Sequence, residues 1–364
     1  MSVEKIPHLA RQLGIPKESL PLLCEALTHR TYAVEHHLDY DNQRLEFLGD
    51  AVREIIHTEF LYHRYPELPE GDLTKIRSAL SCEGTLANIA RELHLGDYLM
   101  LNHRDHRKIT VIDSTIAYTG GINIGDEYIN VIERFGVWKD TGFRIEGDAT
   151  WSMTTTFLNT WEYVSHTSDD YKKYAPRYSM KTDGFVQPYY DTPLDRVNLC
   201  ENSYLSVINN AKDYVYIATP YLIIDNELIT ALTVAAQSGV DVRIVVPGIP
   251  DKWYVYYVTQ SYYRVLLRAG VKIFEYTPGF IHAKMYASDD IQAIVGGANT
   301  DYRSLYLNYE NCCSFYGGSI VADVKKDFEE TFANSRQVTI SDVNKTGFLK
   351  RLLQLFLRIW SPMM

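Results

Sequence analysis

Apolar residues recur at a helical period through the first hundred residues and at a strand period beyond them. Leu45, Leu48, Val52, Ile55, Ile56 and Leu61 keep a 3.6-residue repeat through residues 42–65, which predicts an amphipathic helix. Pro66 and Pro69 follow and end it. A second periodic stretch runs from about Asp72 to Leu95, with Gly96 as its stop. After Leu101 the texture changes to short β-branched runs such as ITVI at 109–112, followed by a turn at Gly120–Gly121. From about residue 200 the two patterns alternate. Strands are expected at 214–219, 240–247 and 271–276, with helices at 227–238, ended by Gly239, and around 257–268, ended by Gly270. This alternation predicts an α/β arrangement with a largely buried sheet. The segment 347–360 is apolar on a broad face and carries Lys350, Arg351 and Arg358. It is too short to span a bilayer, and two readings stay open: an interfacial helix or an ordinary helix packed on the domain.

Composition narrows the class without naming a function. The 364 residues leave room for two or three domains, and a hydrophobic fraction of 46% supports sizeable cores. The net charge of −10 gives the chain as a whole no attraction for nucleic acid, though local basic patches remain open. Cys24, Cys82, Cys200, Cys312 and Cys313 are odd in number and lack a metal spacing. They point to a reducing compartment, with Cys312 and Cys313 as buried thiols in a strand. No signal peptide and no transmembrane helix are expected.

The candidate chemistry lies in a repeated pattern, HxKxxxxD. The first copy holds His106, Lys108 and Asp113, and the second His282, Lys284 and Asp289. Two copies would arise by chance in fewer than about one in a thousand such chains. If each triplet is a strand, alternate residues share a face, so each histidine points the same way as its lysine. Histidine titrates near neutrality, so a neutral ring can attack phosphorus while a protonated one supplies the leaving group's proton. The lysines would offset charge that builds on the phosphoryl oxygens. Glycine pairs and an asparagine follow each copy: Gly120, Gly121 and Asn123, then Gly296, Gly297 and Asn299.

From residue 102 onward the chain resembles the phospholipase D superfamily, specifically bacterial cardiolipin synthase, with both active-site segments present. That resemblance implies two similar α/β lobes and transfer of a phosphatidyl group from one phosphatidylglycerol to another, yielding cardiolipin and glycerol at a membrane surface. His106 and His282 would share the nucleophile and acid/base roles, and the sequence leaves open which of them attacks. Lys108, Lys284, Asn123 and Asn299 would hold the phosphoryl oxygens. Asp113 and Asp289 complete the catalytic signatures, and Asp140 and Glu310 would orient the histidines. No cofactor is implied.

Residues 1–101 resemble ribonuclease III instead, on LTHRTYA (27–33) and NQRLEFLGDAV (42–52). Glu46 and Asp50, four residues apart on one helical face, would be a Mg²⁺ ligand and an active-site carboxylate. Gln43 stands where a glutamate is common, and the match ends before the family's later metal ligands. The expected organisation is an all-α fragment at 1–101, the C-terminal part of a first lobe at 102–185, a complete second lobe at 186–343 and an amphipathic tail at 344–364. A first lobe lacking its early strands should leave unpaired strand edges and exposed apolar faces. The leading expectation is a phosphatidyltransferase placed peripherally at the bacterial membrane. The alternatives are a cytoplasmic double-stranded RNA-processing protein, dimeric through its first fragment, and a non-functional fusion of two truncated genes.

Overall fold

The computed structural model describes residues 5–29, 32–33, 36–81, 85, 89–90, 92–93, 95, 98, 105–165, 167–176, 183–193, 197–359 and 361. Met1–Asn102 and His103–Met364 are separate compact units. Cys82, Gly96 and Leu101 lie outside the described residues.

The first unit contains α1 (Ile6–Gln12), α2 (Leu20–Leu27), α3 (Gln43–Arg64) and α4 (Glu70–Leu80). Its small core gathers Ile6, Leu9, Leu27 and Tyr98. The predicted amphipathic helix is there as α3, but its apolar side is largely uncovered. Leu61 is buried, whereas Phe47 is 79% and Ile55 66% exposed. Polar contacts join α3 to α4: Ser81 Oγ donates to Glu54 Oε1 at 2.9 Å, and Arg77 pairs with the same carboxylate at 3.4 Å.

The second unit opens with β1 (Thr110–Ile112), β2 (Ile116–Gly120), β3 (Val137–Lys139), β4 (Gly142–Glu146) and α5 (Thr150–Ser165). Next come β5 (Phe185–Asp191), α6 (Leu199–Asn210), β6 (Tyr214–Ala218), β7 (Leu222–Ile223) and α7 (Asn226–Gln237). These lead to β8 (Asp241–Pro247), α8 (Trp253–Ala269), β9 (Lys272–Tyr276), β10 (Gly279–Ile281), β11 (Met285–Ser288) and β12 (Gln292–Gly296). The chain ends with β13 (Thr300–Asp301), α9 (Tyr302–Tyr306), β14 (Glu310–Tyr316), α10 (Gly318–Ala333), β15 (Ser335–Val338), α11 (Ile340–Asn344) and α12 (Phe348–Ile359). Gly270 stops α8 because its φ of +102° suits a residue without a Cβ.

An eight-stranded sheet runs in the order β15-β9-β8-β6-β11-β12-β14-β5. β6, β8 and β9 are parallel and the remaining pairings antiparallel, so the sheet is mixed. Helices α6, α7 and α8 cover one face through Val207, Leu228, Leu232, Val258 and Leu266. The other face packs against α10 and against the small antiparallel sheet β1-β2-β4, where Phe143 meets Phe315 edge to face at 5.1 Å. Strand alternation sends Cys312 into the first core and Cys313 into the second, both as free buried thiols.

The two hairpins β1-β2 and β11-β12 are equivalent places in a repeated design. Each turns at an aspartate with positive φ, Asp113 at +51° and Asp289 at +56°. The difference is in their flanks. β6 pairs with β11, whereas among the described residues no strand pairs with the outer edge of β1.

Candidate active site

The HxK triplets sit in extended links beside the strands, and not in strands as the alternation argument expects. His282 and Lys284 follow the end of β10, and His106 and Lys108 precede β1. The backbone of each histidine leaves its own segment to pair with the other part of the unit. His282 N donates to Lys139 O at 2.6 Å, and His106 N donates to Tyr309 O at 2.9 Å. Each acceptor immediately precedes a carboxylate, Asp140 in one case and Glu310 in the other.

The side chains repeat the exchange. His282 Nδ1 lies 2.6 Å from Asp140 Oδ2, and His106 Nδ1 lies 2.8 Å from Glu310 Oε1. The segment holding the first histidine thus supplies the carboxylate for the second, and the reverse. An Nδ1 bound to a carboxylate sets the tautomer and leaves Nε2 as the reactive nitrogen. Glu310 is fully buried and also accepts from Asn308 Nδ2 at 3.2 Å. Small residues make room for both carboxylates. A Cβ on Gly121 would come within 2.3 Å of Asp140 Oδ1, and one on Gly297 within 3.1 Å of Glu310 Oε2.

Both lysines are drawn into this site. Lys284 Nζ lies against the edge of the His282 ring, 2.6 Å from Nδ1 and 2.9 Å from Nε2, which keeps the two side chains on one side although the triplet is not a strand. Lys108 Nζ is buried without a hydrogen-bond partner among the described residues. Burial lowers the Lys108 pKa, against the pull of Glu310 and Asp140, so its charge senses both carboxylates. Burial pushes Lys284 down to about 7, with Asp140 opposing and Lys108 adding to the fall. His282 falls to about 3, first through burial and then through the Lys284 charge. Burial alone would raise Asp140, but the hydrogen bond from His282 and the nearby lysine bring it below the ordinary aspartate range. A pair of buried cations with one amine unpartnered is a place prepared for an anion.

The asparagines are less committed to that anion. Asn299 Nδ2 donates to Asp301 Oδ2 at 3.0 Å, and Asn123 Nδ2 donates to the Tyr128 hydroxyl at 2.6 Å. Each amide nitrogen keeps a second hydrogen for another acceptor.

Asp113 and Asp289 need correction as catalytic residues. Asp289 accepts backbone N–H groups from Lys212, Asp213 and Tyr214 at 2.7–3.0 Å, at the far end of β11. Five residues of extended chain put it about 15 Å from Lys284. Asp113 is exposed in the corresponding turn. Aspartate tolerates positive φ and satisfies nearby amides, so the signature records a hairpin turn at this position.

Sequence reasoning missed an aromatic wall. Trp138 lies 5.2 Å and Tyr128 5.3 Å from the His282 ring, and Phe280 stands behind Trp138 at 4.6 Å. Trp138 precedes Asp140 by two residues, and that alternate spacing was the available signal. In the first unit, Glu46 and Asp50 do not fit a Mg²⁺ site. Asp50 is 67% exposed and pairs with Arg53 at 3.2 Å. Burial and Asp50 raise the Glu46 pKa, and no third ligand joins them among the described residues.

Comparison with known proteins places this geometry. The family described as cardiolipin synthase, PLD-like domain, matches residues 204–332, and a ribonuclease-III-like family matches residues 20–124. The second match runs beyond residue 101 and across the first HxKxxxxD copy. A cardiolipin synthase of Alkalihalophilus pseudofirmus is 35% identical over 346 residues, covering 94% of this chain and 68% of that protein. The chain belongs to the cardiolipin synthase family. An uncharacterized protein of Streptococcus mutans is 48% identical over 268 residues, covering 72% of this chain and 57% of that protein. The chain spans about half the length of several curated relatives, as in the 53% covered of Bacillus cereus cardiolipin synthase 1. Among solved structures, the phosphatidylserine synthase of Haemophilus influenzae shares the fold with a TM-score of 0.55 at 16% identity, covering 71% of this chain and 68% of that one. The crossed histidine–carboxylate pairs therefore belong to a cardiolipin synthase family fold, joined in one chain to a ribonuclease-III-like segment.

Proposed function

We propose that this chain is a phosphatidyltransferase that converts two phosphatidylglycerols into cardiolipin and glycerol. The observation that carries this reading is the crossed pairing of His106 with Glu310 and His282 with Asp140, beside the buried Lys284 and the buried amine of the half-buried Lys108. The neutral histidine attacks phosphorus through Nε2, forming a phosphorus–nitrogen bond as the bond to the glycerol oxygen breaks. The protonated histidine gives its proton to that oxygen. It then takes a proton from the hydroxyl of a second phosphatidylglycerol, whose oxygen displaces the first histidine from phosphorus. His282, held neutral, suits attack, and the more exposed His106 suits proton transfer. Lys108 and Lys284 hold the phosphoryl oxygens, with Asn123 and Asn299 beside them, while Asp140 and Glu310 are positioning residues. The chemistry calls for no metal. The reaction takes place at a membrane surface because the substrate is a lipid.

For residues 1–102 we propose self-association through the exposed apolar side of α3. Glu46 and Asp50 do not carry duplex RNA cleavage in this reading. The deciding experiment presents phosphatidylglycerol to the purified full chain and follows cardiolipin and glycerol. Wild type should form both, and should yield an acid-labile phosphoenzyme on quenching that His282→Ala abolishes. No product from wild type would sink the reading and favour a non-functional fusion. A phosphoenzyme that persists in His282→Ala would reassign attack to His106.

A further inference from the structure

The C-terminal helix α12 is docked with its polar side inward. Gln354 is buried, with Nε2 3.4 Å from Gln260 Oε1, and Arg351 Nη2 donates to Asn344 O at 2.7 Å. The Arg358 guanidinium lies 4.2 Å from the centre of the Tyr262 ring, and Lys350 Nζ lies 4.7 Å from that of Tyr257. Beyond the helix, Ser361 is buried and meets the Tyr262 hydroxyl at 3.3 Å. With the polar strip turned toward α8, its cations in contact with rings and carbonyls and not with carboxylates, the apolar strip faces out. Phe348 is 78%, Leu349 79% and Ile359 73% exposed, and Leu352, Leu355 and Phe356 are each more than half exposed. A helix packed on a soluble domain normally does the opposite. The helix touches α8 through its polar side, and its apolar side is left uncovered among the described residues.

Charge indicates the occupant. From residue 343 to 364 the chain has four basic side chains, Lys345, Lys350, Arg351 and Arg358, and no acidic one. Between α12 and α8 lies a cavity of about 350 Å³ whose lining includes Arg264, Arg336, Lys350 and Arg351. Arg336 is matched by Glu275 at 2.6 Å and Asp342 at 3.3 Å, which leaves the other three without an acidic partner among the described residues. Arg351 Nε is buried with no acceptor among the described residues. An apolar strip backed by unmatched cations fits an anionic lipid surface, where acyl chains take the strip and phosphates take the cations. With 12 residues the helix is too short to cross a bilayer, and no described helix is long and apolar enough to do so.

We propose that α12 is an in-plane membrane-binding helix that seats this unit on an anionic phospholipid surface, independently of the catalytic groups. The test is co-sedimentation of the full chain with vesicles of equal parts phosphatidylglycerol and phosphatidylcholine, compared with phosphatidylcholine alone. Wild type and His282→Ala should both pellet with the anionic vesicles, so failure of catalysis leaves the result readable. Leu352→Glu/Phe356→Glu should weaken binding about tenfold or more, and Arg351→Gln should narrow the preference for anionic vesicles. All four side chains changed in the two double variants are exposed, and Leu349→Ser/Ile359→Ser gives the same reading if the glutamates disturb folding. Undiminished binding by both double variants, or no vesicle binding by wild type, would overturn the proposal. So would a lipid-free dimer that these substitutions dissolve, because the strip would then belong to a second copy of the chain.

Discussion

Burial at this site strains the ionisation of Lys284 strongly. Burial lowers it to about 7 while Asp140 opposes the change. Its charged form is therefore present below about pH 7 and lost above it. For activity the sign is plain: if Lys284 must carry charge to hold the phosphoryl oxygens, kcat/KM should fall as pH rises through about 7. For stability the sign is opposite. The unfolded lysine binds its proton up to about pH 10.4, so between about 7 and 10.4 the unfolded state holds more protons and stability rises with pH. Opposed trends in rate and melting temperature across that window are the expected outcome. Lys284→Met should lose on the order of 10²–10³ in kcat and remove the stability trend. A kcat/KM profile flat to pH 9 in the wild type would show that another group holds the phosphate. His106, His282, Lys108, Lys284, Asp140 and Glu310, which the sequence singles out, lie together at this site. The crossing of the pairs could not be read from it, because the spacing within one motif carries no information about a carboxylate contributed by the other.

Among the elements, the hairpins β1-β2 and β11-β12 show how one local pattern meets two environments. Both follow an HxK triplet and both turn at an aspartate with positive φ. β11-β12 lies mid-sheet between β6 and β14, while β1 has no outer neighbour among the described residues. The central sheet is held on the β1-β2-β4 side by α10, whose Phe328 is fully buried against Tyr216 and Phe332. Phe328→Ala should cost about 3–5 kcal/mol, read from urea unfolding of the second unit. A change under about 1 kcal/mol would mean that α10 contributes little to that core. Helix boundaries were mostly legible, and α7 and β8 fall within a residue or so of the expectation. What failed was burial. The periodicity of α3 promised a covered face, yet Phe47 and Ile55 stay exposed, since a period shows that a helix has two sides and not whether a partner exists.

At the scale of the whole molecule, Met1–Asn102 and His103–Met364 have separate interiors. Among the described residues, the first relies on a handful of core residues and the second on two continuous clusters. Calorimetry should therefore resolve two unfolding transitions, the first unit melting lower. A single transition that shifts as a whole with substitutions confined to Ile6 or Leu9 would show one cooperative unit. The change of texture near residue 101 anticipated this division, because composition and period are local properties that change where a domain changes. Local patterns, too, were readable along the chain: two HxKxxxxD copies, an α/β alternation and an amphipathic tail with basic residues. Tertiary structure alone decided three things. It paired each histidine with the other segment's carboxylate, it assigned Asp113 and Asp289 to turns, and it turned the tail's apolar side outward. Each depends on contacts between residues far apart in the chain, and the energy of such contacts is set by packing and burial that no local window contains.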